Sequence, residues 1–200
     1  SEISRAWGVH QRLLPMSDER VATMVTVHDH GAVTGVEVPF QEYFVQRRHS
    51  VPVSAVRFAG VEAARPGAGV LAAIGEADVV VVAPSNPLVS IAPIRSLSGV
   101  DEILSARRES VVAISPIVGG VALKGPADQM LRELGHEPSV VGVARLYTDI
   151  AATLVIDPLD ESFAPAIEAT GMRVVVTPSV MSEKDVGPEL ARRTLAAARR

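Results

Sequence analysis

Two stretches near the start of the chain alternate apolar with polar residues. They cover residues 21–27 and 33–38, and a short polar link at 28–31 lies between them. Alternation with a period of two is typical of strands that bury one face, and a tight polar link favours a hairpin. The hairpin is largely apolar, so it could pack on a second copy in a homodimer or lie in the interior of one chain.

A short helix is predicted directly after this hairpin, over residues 40–48. Phe40 and Phe44 recur at helical spacing and are assigned to its packed side, with Tyr43 as a further candidate. Together with the hairpin, this helix predicts a hairpin–helix insertion over residues 21–48.

From residue 53 onward the pattern changes, and short apolar strands alternate with segments of helical spacing. The predicted strands cover 53–58, 78–83, 111–115, 153–156 and 173–177. The predicted helices cover 67–75, 100–108, 126–134, 160–170 and 183–199. Strands separated by helices favour right-handed crossovers and an open parallel sheet covered on both faces. We therefore predict an α/β fold with a doubly wound, mainly parallel, Rossmann-like sheet that carries the insertion near its N-terminus.

The composition narrows the class of protein. The chain has 200 residues, 48% hydrophobic and 21% charged, which predicts a single α/β domain over residues 1–200. A formal net charge of −4 gives no basic field for a phosphate backbone, so no nucleic-acid partner is expected. The chain has no cysteine, which excludes disulfide frameworks and thiolate chemistry and favours a cytoplasmic location. No apolar run approaches the roughly 20 residues of a membrane-spanning helix, so no membrane partner is expected.

Ligands of parallel sheets bind beyond the carboxyl ends of the strands, so the loops after residues 83, 115, 157 and 177 are the candidate positions. The first loop contains Pro84, Ser85 and Asn86, in which prolines stiffen the backbone and short side chains offer hydroxyl and amide groups. On spacing alone, an ordinary proline-rich turn with Asn86 bonded to its own backbone is an equal alternative. The location of the loop favours a ligand.

The loop after residue 115 combines glycines with a cation. Gly119, Gly120 and Gly125 allow backbone N–H groups to approach an anion, and Lys124 brings a positive charge close to a predicted helix start. The order Lys-Gly-Pro at 124–126 is not that of a Walker A loop. The pattern indicates a phosphate-binding loop, and the alternative is a plain strand-to-helix turn.

Three aspartates are candidate ligands of a hard cation. Asp149, Asp157 and Asp160 could reach the same edge of the sheet and hold Mg²⁺. We favour a structural interpretation for two of them, with Asp160 as a helix N-cap and Asp157 in a turn before a proline. The residues themselves therefore assign no metal ligand.

Several segments in order carry a family resemblance. They are LPMSDERV at 14–21, FQEYFV at 40–45, APSNPLVSI at 83–91, SPIVGG at 115–120 and ALKGPAD at 122–128. With these motifs the chain resembles the 2-phospho-L-lactate transferase family, which works in actinobacteria as a phosphoenolpyruvate transferase of coenzyme F420 biosynthesis. The resemblance runs from about residue 13 to residue 180.

The resemblance implies a Mg²⁺-dependent transfer. A guanosine-diphosphate-linked donor gives its phosphoenolpyruvyl or phospholactyl group to the deazaflavin precursor FO and releases GMP. The two donors differ by two hydrogens, and the sequence does not distinguish them. The nucleotide- and phosphate-binding residues expected from the loops and the resemblance are Pro84, Ser85, Asn86, Ser90, Ser115, Gly119, Gly120, Lys124 and Gly125.

The chain also departs from the family pattern. Members usually begin with a strand and a Gly-Gly-Thr-Gly-Gly type loop, and nothing of that kind precedes Ser1. We therefore expect a domain that is incomplete at its N-terminus, catalytic residues in that segment, and little or no activity of this polypeptide alone. Ala92 also replaces an expected glycine, and Val121 an expected basic or polar residue.

Two alternatives of other classes remain open at this point. The first is a non-catalytic regulatory protein that binds a nucleotide sugar with the same architecture. The second is a degenerate subunit with only a packing role. A response to FO distinguishes the transferase from the sensor.

Overall fold

The computed structural model describes residues 6, 8, 10–28 and 34–198. Within them the strands are β1 (Ala22–Val27), β2 (Val36–Pro39), β3 (Val53–Ala59), β4 (Val80–Val82), β5 (Val111–Ile114), β6 (Ile117–Val118), β7 (Val121–Ala122), β8 (Thr153–Ile156) and β9 (Arg173–Val176). The α-helices are α1 (Val70–Glu76), α2 (Ala92–Arg95), α3 (Val100–Ala106), α4 (Ala127–Glu133), α5 (Val140–Tyr147), α6 (Ala164–Glu168) and α7 (Val186–Ala197). Tighter or wider helical turns cover Glu42–Gln46 and Pro87–Ile91, which are π-helical, and Arg108–Ser110 and Pro158–Phe163, which are 3-10.

A four-stranded parallel sheet forms the centre of the molecule, with strand order β4-β5-β8-β9. Its strands are paired in parallel throughout, and every residue of β5 and β8 is buried. Burial on both faces is expected where helical connections cover the sheet. The predicted α/β fold with a mainly parallel, helix-flanked sheet is confirmed.

The two faces of this sheet pack against different helices. On one face, Ala113 and Leu154 belong to the large core cluster that α3, α5 and α6 complete. On the other face, Val112 and Val155 pack with Leu190 of α7. The alternation of neighbouring residues between two clusters follows from the period-two geometry of a strand.

The predicted hairpin is confirmed as β1 and β2, which pair antiparallel. The predicted link includes residues that lie outside the described part of the chain. β3 pairs antiparallel with β1 and completes a separate sheet of order β2-β1-β3, so its predicted place in the parallel sheet is wrong. Ser54 and Arg57 of β3 are exposed polar residues. Exposed polar positions on a strand are expected in an antiparallel sheet that has one face in solvent.

The segment after β2 is a wide π-helical turn rather than a regular helix. Its Arg47 N–H donates to the Glu42 carbonyl at 3.0 Å, five residues earlier. Tyr43 is the fully buried side chain, whereas Phe44 keeps 37% of its surface exposed. The assignment of Phe44 to the packed side is therefore wrong, because the wider turn rotates it away from the core.

Helix α5 was not predicted. Its run of valines around Gly142 favours a strand by propensity, yet all but two of its residues are buried in the main core. Ser139 caps its start by accepting from the Val141 and Gly142 N–H groups at 3.1 and 3.2 Å. Gly142 is required there, since a Cβ would lie 1.9 Å from the Glu137 carbonyl oxygen.

The insertion packs on the α/β region through α4. Val25, Val27 and Tyr43 share a buried cluster with Met130 of that helix. This inward packing accounts for the apolar face of the hairpin, and the homodimer stays a prediction. None of the helices in the described ranges is long and apolar enough to cross a membrane.

Candidate ligand-binding cleft

A cleft of about 690 Å³ lies at the carboxyl ends of the parallel strands. Residues after β4, after β5 and after β9 form its walls, and the insertion contributes Phe40 and Phe44. This is the edge at which ligands of parallel sheets bind. The volume is in the range of about 300–1,000 Å³ that small-molecule sites usually have.

The structure brings most of the predicted site residues together. Those that line the cleft are Pro84, Ser85, Asn86, Ser90, Ser115, Lys124 and Gly125. Gly119 and Gly120 are not among the lining residues. The loops after β4 and β5 therefore meet in one cleft, but the paired glycines face elsewhere.

The segment after β4 is shaped by Asn86. Its side-chain oxygen accepts from the Leu88 N–H at 2.9 Å and from the Val89 N–H at 3.3 Å, which caps the π-helical turn. This is the alternative weighed for Asn86, a side chain bonded to its own backbone. The hydroxyls of Ser85 and Ser90 make no hydrogen bond within the described residues, so they are the free polar groups of this wall.

Ser115 has a structural task at the mouth of the second loop. Its buried hydroxyl donates to the Ile117 carbonyl at 3.0 Å and accepts from the Ile117 N–H at 3.1 Å. Both bonds stay within the loop, and they start β6 immediately after β5. Ser115 therefore lines the cleft while its hydroxyl is already used.

The second loop contains a hairpin that sequence reasoning missed. β6 and β7 pair antiparallel, and Gly119 and Gly120 form the turn between them with φ of 59° and 80°. Positive φ at both central residues is the geometry that favours glycine in a two-residue hairpin. The Gly119 N–H donates to the Asp160 carboxylate at 2.9 Å. The Gly119 amide was predicted to face a phosphate, and in this structure a carboxylate accepts from it.

Lys124 is the cation of the cleft. It is exposed, and no carboxylate of the described residues lies within the 4.0 Å of an ion pair. The lining residues that the structure describes include no Asp or Glu. Among these residues, an anion that enters the cleft therefore meets one unpaired ammonium group and no negative side chain.

Two walls carry residues that were not predicted. Residues 179–182 follow β9, at a loop that its position marked as a candidate but that offered no recognisable motif. Phe40 and Phe44 stack with ring centroids 5.7 Å apart, and Phe44 stacks in turn on His49 at 5.7 Å. Their contribution depends on how the insertion packs, which no local signal of the sequence encodes.

The three aspartates do not form a cation site. Asp149 precedes β8 and Asp157 follows it, so the two lie at opposite ends of one strand. Asp157 accepts from the Leu159 N–H at 3.1 Å and caps the following turn. Asp160 is not the N-cap that we expected, because its carboxylate reaches across to Gly119.

Burial raises the pKa of the Asp160 carboxyl above its ordinary value. The hydrogen bond from Gly119 opposes that shift, and the nearby charge of Asp157 adds to it. No group of three or more His, Asp or Glu side chains in the described ranges could hold a metal ion. Because Mg²⁺ prefers carboxylate oxygens, the lining residues do not fit a protein-bound Mg²⁺.

Comparison with known proteins agrees with the sequence motifs. The model of the family "2-phospho-L-lactate transferase CofD" matches residues 1–159. The chain is 39% identical to the phosphoenolpyruvate transferase of Kitasatospora aureofaciens, over 96% of this chain and 60% of that protein. It is 40% identical to the 2-phospho-L-lactate transferase of Methanothermobacter thermautotrophicus, over 89% of this chain and 55% of that protein.

The fold has a solved counterpart. A Bacillus halodurans protein matches with a TM-score of 0.63 at 16% sequence identity, over 97% of this chain and 65% of that one. A second crystal structure of the same protein, described as a member of the UPF0052 family, matches with a TM-score of 0.61 at 17% sequence identity.

These matches place this chain among the α/β proteins of a transferase family. The chain belongs to the 2-phospho-L-lactate transferase family, CofD, which confirms the family predicted from the motifs. It spans about 60% of the length of the curated relatives it matches.

Proposed function

We propose that this chain forms the donor-binding cleft of a transferase of coenzyme F420 biosynthesis. The reaction moves a phosphoenolpyruvyl or phospholactyl group from a guanosine-diphosphate-linked donor to FO and releases GMP. The observation that carries the proposal is that the loops after β4 and β5 line one cleft, whose described lining residues include Lys124 and no carboxylate. Family membership supplies the type of reaction, since relatives are named phosphoenolpyruvate transferase and 2-phospho-L-lactate transferase.

The two sides of the cleft suit the two parts of a nucleotide-linked donor. The ammonium group of Lys124 and the free hydroxyls of Ser85 and Ser90 lie where an anionic diphosphate can be bound. Phe40 and Phe44 give an apolar side against which a flat ring can pack. The donor is thereby oriented, with its charge at the polar side.

The transfer itself makes one bond and breaks another. The terminal hydroxyl oxygen of FO attacks the phosphorus that carries the three-carbon group, and the bond from that phosphorus to the bridging oxygen of GMP breaks. GMP leaves with the electron pair of that bond, and the proton of the FO hydroxyl passes to solvent water. Lys124 stabilises the negative charge that develops on the phosphate oxygens, since catalysis of phosphoryl transfer is mostly positioning and charge neutralisation.

Among the described lining residues, no carboxylate or imidazole is present that could accept the proton of the FO hydroxyl. Lys124 is the titratable side chain among the described lining residues, and its charge is used on the phosphate. The proposal therefore assigns binding, orientation and charge stabilisation to this chain, and no proton transfer. Mg²⁺ is still expected as a companion of the donor phosphates.

Titration with GDP and with inorganic pyrophosphate, followed by calorimetry, tests the anion site. Lys124→Ala is expected to weaken the binding of both by about tenfold, because it removes a charge-assisted contact of about 1.4 kcal/mol. Arg145→Ala is the matched control, since Arg145 is an exposed cation of α5 that pairs with Glu137 and lies outside the cleft lining. Equal affinity of wild type and Lys124→Ala would contradict the assignment of Lys124.

Titration with FO, followed by its own fluorescence, separates the transferase from a nucleotide-sugar sensor. We expect FO to bind in the presence of GDP. A chain that ignores FO and binds a nucleotide sugar instead would overturn the transferase proposal and favour the regulatory protein. A chain that binds none of these ligands would leave only a packing role.

A further inference from the structure

Two buried carboxylates lie behind the cleft without lining it. Asp157 follows β8 directly, and Asp160 comes one turn later, with exposed fractions of 7% and 1%. The turn is closed by the Asp160 N–H, which donates to the Asp157 carbonyl at 2.9 Å. Neither carboxylate forms an ion pair within the described ranges. Their partners are backbone N–H groups and one hydroxyl.

Asp160 holds the tip of the β6–β7 hairpin. Its carboxylate accepts from the Gly119 N–H at 2.9 Å, and Gly119 and Gly120 form the hairpin turn. Strand β7 then leads directly to Leu123 and Lys124, which line the cleft. The position of the Lys124 ammonium group therefore depends on a hairpin that Asp160 fixes at its far end.

Asp157 holds a second wall of the same cleft. Its Oδ2 atom accepts from the Ser179 N–H at 2.8 Å and from the Ser179 hydroxyl at 3.3 Å. Ser179 begins the lining segment 179–182, which follows β9. Two walls that come from separate parts of the chain are thus attached to the end of one strand, β8.

A pair of acids suits this task better than neutral side chains would. An ionised carboxylate only accepts, and it can take several N–H bonds at once, whereas an amide brings two N–H groups of its own. Hydrogen bonds to a charged acceptor are about twice as strong as neutral ones. Burying two carboxylates in one turn opposes folding unless they are well bonded, so stabilisation of the turn alone does not account for them.

We propose that Asp157 and Asp160 are positioning residues that hold the Lys124 hairpin and the 179–182 segment at the spacing required by a bound diphosphate. This inference rests on the proposed function, because it assigns both residues to the same ligand site. They act through Lys124 and Ser179 and touch no substrate themselves.

The test compares the Asp160→Asn and Asp157→Asn variants of this chain with the wild-type chain. Each variant is expected to weaken inorganic pyrophosphate binding by about tenfold, measured by calorimetry. Amide hydrogen exchange is expected to become faster at Gly119 and Gly120 in Asp160→Asn, and at Ser179 in Asp157→Asn. Ser139→Ala is the matched control, because it also removes a side-chain acceptor of two N–H groups, but at α5. It should leave pyrophosphate affinity unchanged.

A double variant distinguishes positioning from a general loss of stability. If Asp160 acts through Lys124, then Lys124→Ala/Asp160→Asn should bind pyrophosphate no more weakly than Lys124→Ala alone. Additive losses would overturn the inference. Faster exchange at Gly119 with unchanged pyrophosphate affinity would overturn it as well.

Failure of the proposed function gives a different result. In that case wild type itself binds neither pyrophosphate nor GDP. Amide exchange then tests only whether the two aspartates fix the two walls of the cleft. Faster exchange at Gly119 in Asp160→Asn and at Ser179 in Asp157→Asn supports this role, and unchanged exchange refutes it.

Discussion

The parallel sheet and the antiparallel sheet of the insertion bury their strands in different ways. Every residue of β5 and β8 is buried, because helices cover both faces of the parallel sheet. In β2 only Val38 is buried, and β1 has its fully buried residues at Val25 and Val27. The parallel sheet is covered by helices on both faces, whereas the antiparallel sheet of β2, β1 and β3 has one face toward solvent.

The insertion completes its core with residues of the other region. Val25 and Tyr43 pack in one cluster with Val89, from the turn after β4, and with Met130 of α4. Glu133 of α4 also accepts a backbone N–H of β3 at 2.9 Å. The comparison shows that the insertion depends on the α/β region for its packing. The cleft forms where the two regions meet.

The largest effect is expected at the centre of the parallel sheet. Leu154→Ala removes a fully buried side chain of β8. It leaves a cavity in the middle of the sheet, where β8 is paired with β5 on one side and β9 on the other. We expect a loss of about 3–4 kcal/mol in the free energy of unfolding, measured with urea. Leu195→Ala on α7 is the control, because that side chain is 46% exposed and its loss should cost little. Similar losses for both variants would contradict the assigned core.

A smaller effect is expected where the insertion meets α4. Met130→Ala should cost about 2–3 kcal/mol and should speed amide exchange in β1 and β3 more than in β5 and β8. Met172→Ala is the matched truncation in the α/β core, where Met172 is also buried. It should give the opposite exchange pattern. Identical patterns for the two methionines would show that the regions unfold as one unit.

The smallest effect concerns two buried tyrosines, one in each region. The hydroxyls of Tyr43 and Tyr147 have no hydrogen-bond partner within the described part of the chain. Tyr43→Phe and Tyr147→Phe should therefore leave stability unchanged or raise it by up to about 1 kcal/mol at neutral pH. A loss above about 1 kcal/mol in thermal unfolding would reveal a partner for the hydroxyl.

The pH dependence of Tyr43 sharpens this comparison. Burial raises the pKa of Tyr43 to about 12, and the charge of Glu133 adds to the shift. Tyr43 ionises from about pH 10 in the unfolded state, so the folded state loses stability as the pH rises from about 10 to 12, by up to about 2 kcal/mol. Tyr43→Phe should remove that part of the alkaline loss. An unchanged alkaline profile would contradict the burial of this hydroxyl.

The sequence was sufficient for elements whose burial follows their own local pattern. The run at Thr153–Ile156 is mostly apolar and rich in β-branched residues, and it is the strand that was predicted. The loops after β4 and β5 were also recognisable, because proline, glycine and lysine stood at strand ends. Helix α5 was not, since its valines favour a strand and only packing in the core makes them helical.

The candidate site divides in the same way. Lys124 and Ser85 were found because their chemistry is visible in the sequence beside a predicted strand. Phe44 was assigned to the wrong side, because a π-helical turn does not keep the spacing of an α-helix. Ser179 had only its position at a strand end in its favour, since its place in the cleft depends on the bond to Asp157.

The sequence by itself determined the family, the parallel sheet and the two loops that carry the candidate chemistry, since short-range periodicity and motifs encode these. Tertiary structure alone decided which groups of those loops are free to bind a ligand. The N–H of Gly119 is engaged by Asp160, 41 residues further along the chain, whereas Lys124 has no such partner in the described ranges. Hydrogen bonds between distant residues are set by the packing of whole elements, and no local pattern specifies them.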